Sequence, residues 1–373
     1  MKTLRKHQPP HPGKILRELC LAPLQLSVTV LARSTLSLLL LGCVAEGAPA
    51  ADAVTVTAHE QQPTDSKFWT YFKKQGEISL EERDDVLTVE PVVVPDALGG
   101  LLVIEPKEDQ VRMYDTTGRL KGYFGRKGGG PGEMNLPAMA RRLPNGSIVV
   151  VNVLDSRIQV YDRDGGKILQ ELRVQVRPIL DILPVGDSWV VAASGASTSA
   201  QLFLIDSGGV RASFMPQPST EIARQSGSTF GFVTLAQRGD TIAALHALSD
   251  TVYLFDGSGR ALGTIAMRFA TENRPAKALS PSATLPERAA WAAGIRRNVR
   301  LFWLADGSFV VQTGRRSAAR RLTWGLLHAT RDGKAMFESA STPRLMTVIG
   351  PTFYFRDDSR EEPNAWFTAK ISR

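Results

Sequence analysis

A single phrase recurs down this chain: an apolar residue, an aspartate, a short polar turn and a glycine. It stands at Tyr114-Asp115 with Gly118, Tyr161-Asp162 with Gly165, Ile205-Asp206 with Gly208, and Phe255-Asp256 with Gly259; a weaker copy is Arg331-Asp332-Gly333. The aspartates lie 47, 44, 50 and 76 residues apart. A period of about 40 to 50 residues marks an architecture built from one repeated supersecondary unit. The longest interval is stretched by the insertion RFATENRPAKALSPSATLPERAAWAAGIRRN, residues 268–298.

The unit can be read from GSIVVVNVLDSRIQVYDRDG, residues 146–165. Gly146 turns the chain into a strand of branched residues and Asp155-Ser156 makes the next turn. Ile158, Val160 and Tyr161 then form a third strand, and Asp164-Gly165 turns toward an outer one. A four-stranded meander cannot bury both faces alone, so such units stack and close into a ring that leaves little exposed edge. The expected fold is all-β: a six-bladed β-propeller of four-stranded antiparallel blades over residues 85–373, behind a short helical N-terminal leader. Blades are expected at about 92–135, 136–173, 178–215, 230–268, 299–340 and 344–373. The last is short of strands, and residues 85–94 are expected to return and complete it.

Composition limits the chemistry of this body. Cys20 and Cys43 both precede it, and His246 and His328 are its only histidines, which excludes a disulfide framework, a thiol nucleophile and a His-rich metal centre. The net charge of +8 comes from scattered arginines rather than one long run, so charge alone names no acidic partner.

The first fifty residues read differently. Behind Arg33, STLSLLLLGC (34–43) is a short apolar run followed by VAEGAPAADA. A mature membrane-spanning helix takes about 20 apolar residues; a shorter run with a basic flank and a small-residue exit has the pattern of a secretory signal. Leu40-Leu41-Gly42-Cys43 resembles the lipobox of bacterial lipoproteins. That resemblance implies acylation of Cys43, a mature chain beginning there, and a periplasmic or outer-membrane-anchored location in the cell envelope. Acyl chains at roughly 0.8 kcal/mol per buried methylene would hold it to the membrane. The alternatives are a plain signal cleaved near Ala48 or Ala50 and a buried helix of a cytosolic domain.

Further upstream, HPGKILRELCLAPLQLSVTVLAR (11–33) resembles the opening of HigA-type antitoxins, which have a helix-turn-helix domain. Pro12 suits a first helical turn, Ile15, Leu16 and Leu19 share a face, and Ser27 would cap a second helix. The family's next element is a recognition helix that enters the major groove. Here the chain runs into LSLLLLGC instead, so nucleic acid is not an expected partner. A start codon placed too far upstream, or a fusion remnant, accounts for the segment. The expected divisions are 1–33, the partial HigA-like segment; 34–50, signal and lipobox; 51–84, a linker; and 85–373, the propeller.

The body itself resembles NHL-repeat six-bladed propellers over about residues 87–373. RIQVYDRDG (157–165) and FGRKGGGPGEM (124–134) match that family's Arg-Ile-x-Val-Tyr-Asp-x-x-Gly and Phe-Gly-x-x-Gly-x-Gly-Pro-Gly-Glu-Phe phrases, with Met134 at the usual aromatic. The likeness is strong over two blades and loose afterwards. It implies a binding or protein-interaction module. Related propellers include lactonases and lyases that hold calcium or zinc in the central channel, so a channel-metal-dependent hydrolase or lyase is the alternative. A HigA-like, antitoxin-related DNA-binding protein is the second alternative.

Few residues stand out as sites. GRKGGGPGE (125–133) lacks the Gly-Lys-Ser/Thr ending of a P-loop and no βαβ unit follows it, so no nucleotide is expected, and the sequence names no other cofactor or metal. It reads as an inter-blade loop in which Glu133 bonds neighbouring amides. Arg157, just after a turn, is expected to pair with a turn carboxylate or a blade neighbour. GRRSAARRL (314–322) places Arg315, Arg316, Arg320 and Arg321 in a hairpin loop of the fifth blade, the candidate contacts for an anionic glycan, phosphate or acidic partner. LPERAAWAAGIRRNVR (285–300) reads as a helix with Trp291 and Ile295 one turn apart, a candidate cap for one mouth of the channel. No paired carboxylates, Ser-His-Asp set or metal spacing names a catalytic residue. The expectation is an exported, lipid-anchored propeller that binds a protein, small molecule or glycan at the bacterial cell envelope.

Overall fold

The structure is a computed structural model that describes residues 64–82, 91–106, 108–176, 178–193, 200–216, 233–270, 277–280, 282–293, 295–316, 322–356 and 365–372. The HigA-like segment and the lipobox with Cys43 lie outside the described residues, as do Arg320 and Arg321. Among the described residues no helix is long and apolar enough to cross a membrane.

The chain enters through helix α1 (Ser66–Tyr71), capped by the Asp65 side chain, and strand β1 (Phe72–Ser79). Blade 1 follows as β2 (Val92–Pro95), β3 (Leu101–Glu105), β4 (Gln110–Tyr114) and β5 (Leu120–Phe124). Blade 2 is β6 (Pro137–Arg142), β7 (Ile148–Asn152), β8 (Arg157–Tyr161) and β9 (Ile168–Arg173). Blade 3 is β10 (Ile179–Val185), β11 (Ser188–Ala193), β12 (Ala200–Asp206) and β13 (Gly209–Pro216). Blade 4 is β14 (Val233–Arg238), β15 (Thr241–His246), β16 (Thr251–Asp256) and β17 (Ala261–Ala266). Helix α2 (Leu285–Ala292) precedes blade 5: β18 (Arg297–Trp303), β19 (Phe309–Arg316), β20 (Leu322–Ala329) and β21 (Ala335–Thr342). Blade 6 has only three strands in sequence, β22 (Leu345–Ile349), β23 (Thr352–Arg356) and β24 (Ala365–Ile371). All six sheets are four-stranded and antiparallel, as the repeat implies.

The ring closes with a different strand from the one the sequence suggested. The fourth strand of blade 6 is β1, paired with β24 from Phe72↔Ile371 to Ser79↔Ala365. Val92–Pro95, from the segment expected to close the ring, is instead the innermost strand of blade 1. The expected linker at 51–84 therefore contains a structural strand. An outer strand needs few apolar residues because one face meets water; Lys73, Lys74, Gln75 and Glu77 are all exposed. Both ends of the segment are held: at the far end Ile78 and Leu80 pack with Tyr114 and Trp366, and at the entering end the hold is aromatic. Phe68 and Phe72 are fully buried against Phe353, Phe355 and Phe367. Beside them the Tyr71 hydroxyl meets His328 Nδ1 at 2.7 Å, and His328 Nε2 meets Ser308 Oγ at 2.9 Å, tying the entering segment to blade 5.

The recurring aspartate and glycine have separate tasks. Asp115 Oδ1 accepts from the Thr117 amide, the Thr117 hydroxyl and the Arg119 amide at 2.9, 2.6 and 3.0 Å, closing the last hairpin of its blade; Asp256 does the same with Ser258 and Arg260. These bonds hold both carboxyls well below the usual carboxylate range. The glycine sets the distance between blades. A Cβ on Gly165 would lie 2.2 Å from the Phe124 ring on the outer strand of blade 1, and Gly165 also has φ +75°. In blade 3 the left-handed position belongs to Gly209 rather than Gly208. In the fifth copy Thr330, not an aspartate, accepts from the Gly333 amide.

Candidate functional site

The innermost strands β2, β6, β10, β14, β18 and β22 surround a cavity of about 570 Å³ on the propeller axis. Four of them carry a break in register early in the strand: between Pro137 and Met139, Ile179 and Asp181, Asn298 and Arg300, and Leu345 and Thr347. A β-bulge re-aims the side chains that follow it. Met139, Asp181, Arg300 and Thr347, each directly after its bulge, all line the cavity. Irregular backbone thus delivers Asp181 and Arg300, two of the four charged residues of the wall, to the cavity.

Polar bonds run around this axis from blade to blade. Arg142 grips Asp96 of blade 1 through Nε and Nη2 at 2.5 and 2.8 Å. Arg141 Nη2 lies 3.0 Å from Asp181 Oδ1, and its Nε donates to the Ile182 carbonyl at 2.6 Å. Asp181 Oδ2 accepts from the Leu235 amide of blade 4 at 2.9 Å. Thr234 Oγ1 accepts from the Leu301 amide of blade 5 at 3.1 Å. Arg300 Nη1 then donates to the Met346 carbonyl of blade 6 and the Val93 carbonyl of blade 1, at 2.8 and 2.5 Å.

The charges in this belt do not cancel. Asp96 balances Arg142, and Asp181 balances Arg141. Arg300 reaches only carbonyls, both through one nitrogen, and no carboxylate of the described residues forms an ion pair with it. Desolvation lowers its pKa to about 10, with Arg344 and Arg141 adding repulsion and Asp181 opposing them. It remains a full cation at neutral pH. The arrangement is suited to holding a negative group, since a planar guanidinium pairs with carboxylate or phosphate in a bidentate fashion.

The residues singled out from sequence lie elsewhere. Arg315 and Arg316 belong to strand β19, paired with Thr323 and Leu322, rather than to a loop. The ladder between β19 and β20 runs as far as the pair Arg316↔Leu322. Arg315 lines a cleft of about 20 Å³ with Phe269, Arg296 and Glu338, away from the axial wall. Trp291 and Ile295 pack with α2 on Ala247 and Leu248, at the rim of blade 4, and the Trp291 indole donates to the Lys277 carbonyl at 2.8 Å. Neither is part of the cavity lining.

Arg157 is fully buried and pairs locally, as expected. Its guanidinium lies 2.6 Å from Asp155 and 3.3 Å from Glu171, and it donates to the carbonyls of Gly128, Gly129, Gly130 and Glu133. Glu133 in turn accepts from the Gly130 amide at 2.8 Å. The glycine run is an inter-blade loop moulded on one arginine.

His246 is buried beside α2. Its Nδ1 accepts from the Leu248 amide at 3.2 Å, and burial pushes its pKa down to about 4. His328 is committed to the ring closure. Among the described residues no group of three or more His, Cys, Asp and Glu is gathered as a metal site.

Comparison with known proteins agrees on architecture. A protein of Bacteroides fragilis inferred to be exported shares the fold at a TM-score of 0.59 and 10% identity, with 84% of this chain and 98% of that one covered. A member of the DUF4221 family from Bacteroides vulgatus follows at 0.55 and 8%, covering 81% and 98%. Virginiamycin B lyase from Staphylococcus aureus aligns over 81% of this chain and 100% of its own at 11% identity, but its TM-score of 0.47 is too low to carry its activity across. No curated protein sequence matches the chain. The sequence profile of one family, described as 6-bladed beta-propeller, matches residues 48–297; with six four-stranded blades closed into a ring, this chain belongs to that family, DUF5128.

Proposed function

We propose that this chain is an exported, lipid-anchored propeller of NHL-like kind that works as a binding module at the bacterial cell envelope, with its ligand held in the axial channel. The observation that carries the reading is the cavity of about 570 Å³. That volume lies within the usual range of about 300–1,000 Å³ for small-molecule sites, and a mostly apolar wall with a few placed polar groups is their usual lining. Its charged residues favour binding over metal chemistry. Calcium and zinc sites gather carboxylates, carbonyls or imidazoles, whereas Arg141, Arg142, Arg300 and Asp181 are the charged residues of this wall. Asp181 already spends both oxygens on protein donors.

Export is supported by the apolar run ending at Cys43 and by the Bacteroides fragilis protein of the same fold that is inferred to be exported. Arg315, Arg316, Arg320 and Arg321 are proposed as a second contact zone for an anionic partner, and α2 with Trp291 and Ile295 as part of the channel rim. Intact mass and membrane fractionation of the protein from a bacterial host test the location. A membrane-bound species beginning at lipid-modified Cys43, released to the soluble fraction by Cys43→Ala, is the expected result. A soluble cytoplasmic species retaining residues 1–42 would overturn export and return attention to the HigA-like segment.

A further inference from the structure

We infer that the axial channel takes a small organic acid, its carboxylate seated on the Arg300 guanidinium and its apolar body against the aliphatic wall. This deepens the binding reading and rests on it. Three observations converge. The first is charge. Around the axis Arg142 is neutralised by Asp96 and Arg141 by Asp181, and Arg300 is left without a counter-ion among the described residues. A cation withdrawn from bulk water is costly unless it is paired, so an anion that enters relieves a cost the free protein carries.

The second is geometry. Both bonds that Arg300 makes use Nη1, to Val93 O and Met346 O. Those bonds fix the guanidinium in place without occupying Nε or Nη2, which have no partner among the described residues. A side chain held in this way presents a pre-oriented fork and loses little freedom when a carboxylate arrives. Arg300 is partly open to the cavity, so the fork can be reached. Asp181 is the carboxylate that would repel an acid. Its charge is met by Arg141, and both its oxygens are held by Arg141, the Ile182 amide and the Leu235 amide. Arg344 adds positive potential at Arg300 from outside the lining.

The third is the wall. Val94, Leu183, Val233, Leu235, Leu301 and Val348 line the same space, which suits a hydrocarbon or aromatic body rather than a densely hydroxylated one. The ligand class that satisfies fork and wall together is an organic monoacid.

The test uses the folded, mature protein with benzoate, its neutral isostere benzamide, and para-bromobenzoate. Thermal unfolding with rising benzoate is expected to show a saturable increase in Tm with a half-point in about the millimolar range. Benzamide is expected to act at least about tenfold more weakly, and Arg300→Gln to weaken benzoate by a similar factor, the fold-change of one lost charge-assisted pair. Arg300 also ties three blades, so the glutamine variant is accompanied by Arg300→Lys, which keeps the charge and loses the fork. A crystal with para-bromobenzoate locates the bromine without any variant; its anomalous peak is expected inside the axial cavity with the carboxylate on Arg300. A bromine site elsewhere, full binding by Arg300→Gln, or no response to benzoate at about 20 mM overturns the assignment. Benzamide binding in the channel as well as benzoate overturns the acid class while leaving the binding-module reading in place. Failure of fractionation to find a lipidated species would instead remove the envelope location and leave the channel result untouched.

Discussion

Replacing Arg157 with methionine is the sharpest test of how the glycine loop is held. Five of the nine residues at 125–133 are glycines, so beyond its own backbone bonds and the Glu133–Gly130 contact the loop is held by groups brought from outside. Arg157 supplies bonds to four of its carbonyls at 3.0–3.3 Å, and it also faces Asp155 at 2.6 Å and Glu171 at 3.3 Å. Removing one partner of a buried charged pair costs about 3–5 kcal/mol. Two features pull the expectation to the low end. The Asp155 and Glu171 side chains are 22% and 25% exposed and can take up water, and Gln159 also donates to Glu171 and to the Glu133 carbonyl. The expected loss for Arg157→Met is therefore about 3 kcal/mol, a large fraction of the 5–15 kcal/mol typical of a folded domain.

Urea unfolding monitored by tryptophan fluorescence measures that loss, with exposed Arg163→Met as the control, expected within about 0.5 kcal/mol of wild type. Hydrogen exchange adds location: amides at 125–133 should lose protection in Arg157→Met before the rest of the ring does. A loss below about 1 kcal/mol, or equal protection of the loop in both proteins, would refute the claim that one arginine organises it.

Three further outcomes follow from other parts of the ring. Burial holds His246 near pKa 4 against its ordinary 6.5, so the unfolded chain takes up its proton first as pH falls. Stability from this group is intact above about pH 6.5 and lost toward pH 4; between pH 7 and 5 wild type should lose about 2 kcal/mol that His246→Asn does not, read by paired urea titrations. A chain beginning at residue 64 should fold, whereas one beginning at 85 loses the outer strand of blade 6 with Phe68 and Phe72 and should fail to give a cooperative melt; equal melting of the two would contradict the closure. Gly165→Ala should cost about 2 kcal/mol or more, since its Cβ meets the Phe124 ring at φ +75°, while Gly166→Ala next door, which meets nothing within 4 Å, should be close to neutral in the same denaturation assay.

What the sequence made legible is what the ring repeats. Asp115 and Asp256 must cap the last hairpin of their blades, and Gly165 must let the neighbouring outer strand approach, so these residues recur at the blade period and expose it. Blade positions, the inter-blade role of the glycine run and the local pairing of Arg157 followed from the same marks. The closing strand was hidden because an outer strand is half solvated, and the polar residues Lys73 to Gln75 read as linker. The arginine run was misplaced by its polarity in the same way: Arg315 and Arg316 complete a ladder although nothing apolar marks them as strand.

The axial residues were illegible for a different reason. Alternation assigns each strand residue to a face only while the register is regular, and one extra residue moves every later side chain to the opposite face. Bulges before Met139, Asp181, Arg300 and Thr347 break that count in four of the inner strands. Aligning blades on the turn glycines Gly146, Gly186, Gly307 and Gly350 brings Met139 and Arg300 together but leaves Asp181 and Thr347 out of line. A charged residue inside an apolar inner strand was the one available signal, as in the lone arginine of NVRLFW. The same irregularity explains how the site can exist at all. Most apolar residues of the wall also pack the clusters between blades, whereas Asp181 and Arg300 meet their partners through the belt of polar bonds around the axis. Charges can be placed there without disturbing the repeat, so the ring keeps its architecture while the axis is free to acquire a ligand of its own.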